Sequence, residues 1–152
     1  MTEWISDDDW ATIVRHVPIV SVDLVVKCDA GIVLGERQNE PAKGEWFVPG
    51  GRVQKHETLR EAVYRVAEEE LGIEVDIVER LGAYEHFYET ADVSEAGGKH
   101  YLANGFVVEA TTRPSETDAQ HSELRAFEEL PTDLHEYTRD YLVDTSGVEH
   151  EL

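Results

Sequence analysis

Between residues 58 and 71 the apolar positions Leu59, Ala62, Val63, Val66 and Ala67 recur at spacings of three and four. That period predicts an amphipathic helix. Thr58 and Glu61 have the spacing of a capping box, and Gly72 stands where a helix stop is expected. Ile19-Val20-Ser21-Val22-Asp23-Leu24-Val25-Val26 is largely β-branched and predicts a strand. Asp29-Ala30-Gly31 reads as a hairpin turn into a second strand, Ile32 to Arg37. Further strands are expected near Val75–Val78, Leu81–Tyr88, Tyr101–Val108 and Leu124–Phe127. Ser6 followed by Asp9 suits a helix start, giving a short amphipathic helix to about Arg15, and a last helix is expected over Leu134–Leu142. Strands on both sides of one strong helix predict an α/β (α+β) layered fold. No repeat, low-complexity tract or linker divides the chain, so residues 1–152 read as a single domain.

Charge narrows the partners. Thirteen Lys and Arg against 33 Asp and Glu leave a net charge of −20, spread along the whole chain. Such a surface lacks the phosphate-neutralising charge that nucleic acid requires. It fits either an ordinary acidic protein or a surface adapted to high salt, where the Debye length falls to ~3 Å; the high-salt reading is favoured. No apolar run approaches the ~18 residues of a membrane span, and the opening residues lack a secretory signal. The single cysteine, Cys28, excludes an internal disulfide and agrees with a cytoplasmic location. With no matching His or Asp pattern it reads as a small buried hydrophobe.

Glu70 falls four residues after Val66 and seven after Val63, inside the apolar stripe. A carboxylate on that side is costly unless a partner offsets its desolvation. It reads as a wet residue in a frayed last turn, as half of a buried salt bridge, or as a metal ligand at the floor of a cleft. Glu57, Glu61, Glu68 and Glu69 add hard oxygen donors on or beside the same helix, the chemistry of Mg²⁺ or Mn²⁺. Arg65 precedes Glu69 by four and can pair with it, a structural role. The preceding Pro49-Gly50-Gly51 lets backbone approach a ligand closely.

These residues resemble the Nudix box, G-x5-E-x7-R-E-U-x-E-E-x-G-U, where U is aliphatic. Gly51, Glu57, Arg65, Glu69, Glu70, Gly72 and Ile73 keep its spacing across 23 residues. Val66 departs, standing where the box has a glutamate, and Ala67 matches the next aliphatic position weakly. The resemblance implies the Nudix fold, a mixed β-sheet sandwiched between α-helices, whose loop–helix–loop binds divalent metal and diphosphate.

Beyond the box, Leu34-Gly35-Glu36-Arg37-Gln38-Asn39, Trp46 through Lys55, His86-Phe87-Tyr88, His100-Tyr101 and Gln120-His121 look like the GDP-mannose mannosyl hydrolase branch of the family. In that branch an apolar residue also follows the box arginine. The resemblance implies water attack at the sugar anomeric carbon, with inversion and release of GDP. It implies Mg²⁺, with Mn²⁺ as an alternative, held by the Gly50 carbonyl, Glu70 and Gln120. Glu69, which the branch often lacks, leaves room for a second ion. Arg37 and Arg52 would bind the departing diphosphate, His121 would be the general base, and Asp23, His86 and Tyr101 would assist substrate binding or departure. The branch also implies a homodimer. Two other readings compete: a Nudix pyrophosphatase cleaving a phosphoanhydride, and a non-catalytic nucleotide-sugar sensor, which retention of Glu57, Glu70, Gln120 and His121 disfavours.

Overall fold

The computed structural model describes residues 5–38, 43–89, 98–111 and 124–144. In chain order it holds α1 (Asp7–His16), β1 (Ile19–Cys28), β2 (Gly31–Glu36), β3 (Trp46–Phe47) and β4 (Gly50–Arg52). It continues with α2 (Leu59–Leu71), β5 (Val75–Tyr88), β6 (Lys99–Ala110), β7 (Leu124–Phe127) and α3 (Glu136–Asp144). Among the described residues the strands form one seven-stranded sheet in the order β3-β2-β1-β6-β5, with β4 paired to β1 and β7 to β2. β1 and β6 run parallel and the other pairs antiparallel, so the sheet is mixed.

Alternation along β1 assigns its side chains to two layers. Val22, Leu24 and Val26 pack with Ala62, Val63, Val66, Ala67 and Leu71 of α2. Val25 joins Tyr141 and Leu142 of α3 in the opposite layer, and Asp23, two residues earlier, falls on that same face. The sheet is thus sandwiched between α2 and α3, as the resemblance implied.

Register brings the loop glycines to the centre. β1 pairs with β2 from Val26 to Cys28, then with β4 from Ser21 to Asp23, placing Gly50 opposite Asp23. The α2 cap forms as expected: Glu61 N donates to Thr58 Oγ1 at 3.1 Å and Thr58 N to Glu61 Oε1 at 2.8 Å. Gly72 closes the helix at φ 65°, a left-handed conformation that favours glycine.

Two differences from the sequence expectation stand out, in β5 and at the start of α3. The two strands expected between Val75 and Tyr88 are one, bent by register shifts between Ile77 and Glu79 and between Arg80 and Gly82. A bulge adds a residue to one strand and breaks the alternation that marks it. Ser6 caps α1 as its spacing from Asp9 predicted, accepting from Asp9 N at 3.2 Å. α3 begins at Glu136, because Leu134 instead bridges to Trp46 of β3. No helix among the described residues is long and apolar enough to cross a membrane.

Candidate active site

A cavity of about 470 Å³ lies on the α3 side of the sheet, within the range of small-molecule sites. Its lining includes the rung where Asp23 faces Gly50. Tyr141 Oη donates to Asp23 Oδ2 at 2.7 Å. The Asp23 side chain is only 20% exposed, and burial pushes its carboxyl up to about 6, with the Tyr141 bond opposing the rise. Gly105, the β6 neighbour of Asp23, makes room for that tyrosine; a Cβ there would stand 2.6 Å from Tyr141 Cε1.

His86 completes this group. It is 4% exposed, its Nδ1 lies 4.0 Å from Asp23 Oδ2, and its ring stacks on Tyr137 with centroids 4.0 Å apart. Burial, and secondarily the charge of His135, lowers its pKa to about 4, so the imidazole is neutral at pH 7. Its Nε2 is buried with no hydrogen-bond partner among the described residues, a cost that a bound ligand would relieve. Tyr137 fastens α3 over this group: its hydroxyl accepts from Phe87 N and donates to Phe87 O, each at 2.9 Å.

The box residues form the adjoining wall. Leu24 N donates to Pro49 O and Val53 N to Val20 O, so the alternation of antiparallel pairing leaves Gly50 on a rung without β1–β4 hydrogen bonds. The Gly50 carbonyl is therefore not consumed by β1, and a Cβ at Gly50 would run into Asp23 Oδ1. Val66 is 1% exposed, and a Cβ at Gly51 would meet its Cγ2 at 3.0 Å. Arg65 ties the box together by donating to Glu57 at 2.7 and 2.9 Å, to Arg52 O at 2.7 Å and to Glu69 at 3.1 Å.

Half-buried Glu70 borders both the main cavity and a neighbouring cleft that also holds Gly50, Arg52, Glu69 and Val66. A backbone carbonyl and two carboxylates are an all-oxygen donor set that suits Mg²⁺ and leaves positions for phosphate oxygens and water. Among the described residues no group of three or more His, Cys, Asp or Glu side chains stands ready to hold an ion.

Asp23, Arg37, Gly50, Arg52, Glu70, His86 and Tyr101 all border the main cavity. Glu69 borders only the neighbouring cleft, turned toward Arg65. Gln120 and His121 lie outside the described residues. Reading the sequence missed Trp10, Phe47, Lys99, Tyr137 and Tyr141, which also line the cavity. His135, which no sequence pattern singled out, stacks on Phe47 with centroids 4.3 Å apart. The one available signal was the four-residue spacing of Tyr137 and Tyr141, which puts both on a single face of α3.

Residues 17–144 match the family model of the NUDIX domain. The chain belongs to the Nudix hydrolase family. Over 141 residues it is 55% identical to the low-salt glycan biosynthesis protein Agl8 of Haloferax volcanii, covering 93% of this chain and 90% of that one. A shorter match, 42% identity over 67 residues, covers 44% of this chain and 40% of the ADP-ribose pyrophosphatase of Methanocaldococcus jannaschii. The crystal structure of a MutT NUDIX hydrolase from Burkholderia pseudomallei superimposes with a TM-score of 0.68 at 30% identity, covering 85% of this chain and 98% of that one. Nudix hydrolases act on nucleotide derivatives and generally use divalent ions such as Mg²⁺.

Proposed function

We propose that this Nudix hydrolase cleaves GDP-mannose, or a closely similar nucleotide sugar, to GDP and free hexose by water attack at the anomeric carbon. The observation that carries this reading is Val66. At the position where the box has a glutamate stands an apolar residue sealed against Gly51. No carboxylate is offered there to metal or water near phosphorus, while Asp23 and His86 face the cavity a short way along the sheet. The relative named for glycan biosynthesis agrees with a sugar-bearing substrate.

In this reading Gly50, Glu70 and Gln120 would hold one Mg²⁺, and Glu69 would be available for a second ion. The ion's contribution is to neutralise the departing diphosphate. Arg37 and Arg52 donate charge-assisted hydrogen bonds to the same oxygens. His121 would accept a proton from water, a task for which histidine as a residue type is suited near neutral pH. The water oxygen bonds to the anomeric carbon as the bond from that carbon to the diphosphate oxygen breaks, and GDP leaves with the electron pair. Asp23, His86 and Tyr101 orient the substrate, His86 by filling the vacant bonding capacity of its Nε2. The reading extends to a single domain over residues 1–152, a homodimer, and a cytoplasm at high salt to which the −20 charge is adapted.

Glu57, Glu69 and Glu70 are retained, and the partial likeness to an ADP-ribose pyrophosphatase keeps phosphoanhydride cleavage as the second reading. Chromatography of products from GDP-mannose, UDP-glucose and ADP-ribose with Mg²⁺ decides between them. GDP with free mannose supports the proposal. GMP with mannose 1-phosphate, or turnover of ADP-ribose alone, overturns it, and tight binding without turnover would indicate a sensor.

A further inference from the structure

One end of the cavity carries two groups, Trp10 and Lys99, to which the proposed reaction gives no role. Hydrolysis engages the rung of Asp23 and Gly50, but the cavity runs on along β1 to Ile19, four residues and ~13 Å away. At that end Trp10 of α1 and Tyr101 of β6 pack with Ile19. Lys99 Nζ lies 5.5 Å from the Trp10 ring centroid and 5.7 Å from that of Tyr101, and it donates to Tyr101 Oη at 3.3 Å. Ring faces within ~6 Å attract an ammonium through their quadrupoles. The position of this charge is thus set by two rings and a hydroxyl as well as by its stem. Lysine is scarce in the chain, with Lys27, Lys43 and Lys55 as the others, and Lys99 alone of the four borders the cavity.

We infer that Lys99 selects the nucleobase of the substrate. Trp10 and Tyr101 supply aromatic surface on which a planar base rests, and the Lys99 ammonium reads a carbonyl oxygen on the base edge. An ammonium carries three donors and no acceptor. Guanine presents O6 with N7 beside it, an acceptor pair that lysine and arginine contact in nucleic-acid readout, and uracil presents O4. Adenine and cytosine present an amino group at the corresponding place, where two donors face each other and a hydrogen bond is lost. The inference rests on the nucleotide-sugar reading for placing the diphosphate near Gly50, but not on which bond is cut.

The test is calorimetric titration of the full chain with GDP, UDP, ADP and CDP in the presence of Mg²⁺. The wild type is expected to bind GDP roughly 10- to 100-fold more tightly than ADP, and UDP more tightly than CDP. Lys99→Met keeps most of the stem and removes the ammonium; it should bring GDP to within about threefold of ADP while leaving ADP binding near the wild-type value. Lys99→Gln, with both donor and acceptor, should likewise accept ADP as well as GDP, and thermal melts of both variants check folding. Equal weakening of all four nucleotides would overturn the inference, because Lys99 would then be a charge attracting phosphate. An undiminished GDP preference in the variants would overturn it equally. Release of GMP rather than GDP from GDP-mannose would instead defeat the proposed reaction and leave the base preference standing, so the two failures are distinguishable.

Discussion

Replacing Arg65 with methionine removes a charge that three segments share. Its guanidinium donates twice to Glu57, once to the Arg52 carbonyl in β4, and once to Glu69 one helical turn on. The Glu69 contact is with a 43% exposed partner, and such a pair contributes only ~0.3–0.5 kcal/mol. The Glu57 fork differs, with side chains 19% and 12% exposed. Removing one partner of a fully buried pair costs ~3–5 kcal/mol, and discounting for residual solvent leaves roughly 2–3 kcal/mol for Arg65→Met. For a domain of this size that corresponds to a fall in Tm of roughly 5–10 °C. Thermal unfolding followed by circular dichroism at pH 7 measures it. The effect carries a pH signature, since Arg65 holds the Glu57 carboxyl below its usual range. A depressed acid stabilises above its unfolded pKa of ~4.3, and that stability is lost as pH falls through the lower folded value. The gap between wild type and variant should therefore narrow below about pH 4. A Tm within ~2 °C of wild type at pH 7, or a gap that widens on acidification, would refute the assignment of Arg65 as the tie of the box.

Asp23→Asn should remove the burden of an ionised buried carboxylate: with its folded pKa raised to about 6, Asp23 stabilises below its unfolded ~3.9 and loses that contribution as pH rises through 6. The variant should gain roughly 2–3 kcal/mol relative to wild type at pH 8 and little at pH 4, measured by urea unfolding. Gly51→Ala should destabilise by crowding Val66, and Val66→Ala in the same chain should recover part of the loss, so that the cycle is non-additive. Glu70→Gln should weaken divalent-ion binding strongly, which Mn²⁺ titration reads directly; unchanged affinity would remove Glu70 from the ligand set.

Most of the fold was legible because local signals agreed with tertiary demands. The α2 cap, stripe and terminal glycine each pointed to the helix that forms. The β-branched run of Ile19–Val26 pointed to the strand that forms. Where β5 bulges, the period that marks a strand is interrupted, so the sequence read as two strands. The box spacing marked Glu70 and Arg65 because they are close in sequence to the residues that define it. Tyr141 and Asp23 are 118 positions apart, and Lys99 meets Trp10 only because β6 runs beside β1 under α1. No periodicity records such convergence. His86 was singled out by resemblance alone, since nothing in its local sequence shows the burial that keeps it neutral.

Hydrolysis of GDP-mannose in ¹⁸O-labelled water tests the central claim most directly, with products examined before the free sugar exchanges its anomeric oxygen. Attack at carbon places the label on mannose, initially of inverted anomeric configuration, and leaves GDP unlabelled. That is the predicted result. Label on phosphate, with GMP as a product, would contradict the account and establish attack at phosphorus despite the valine at position 66.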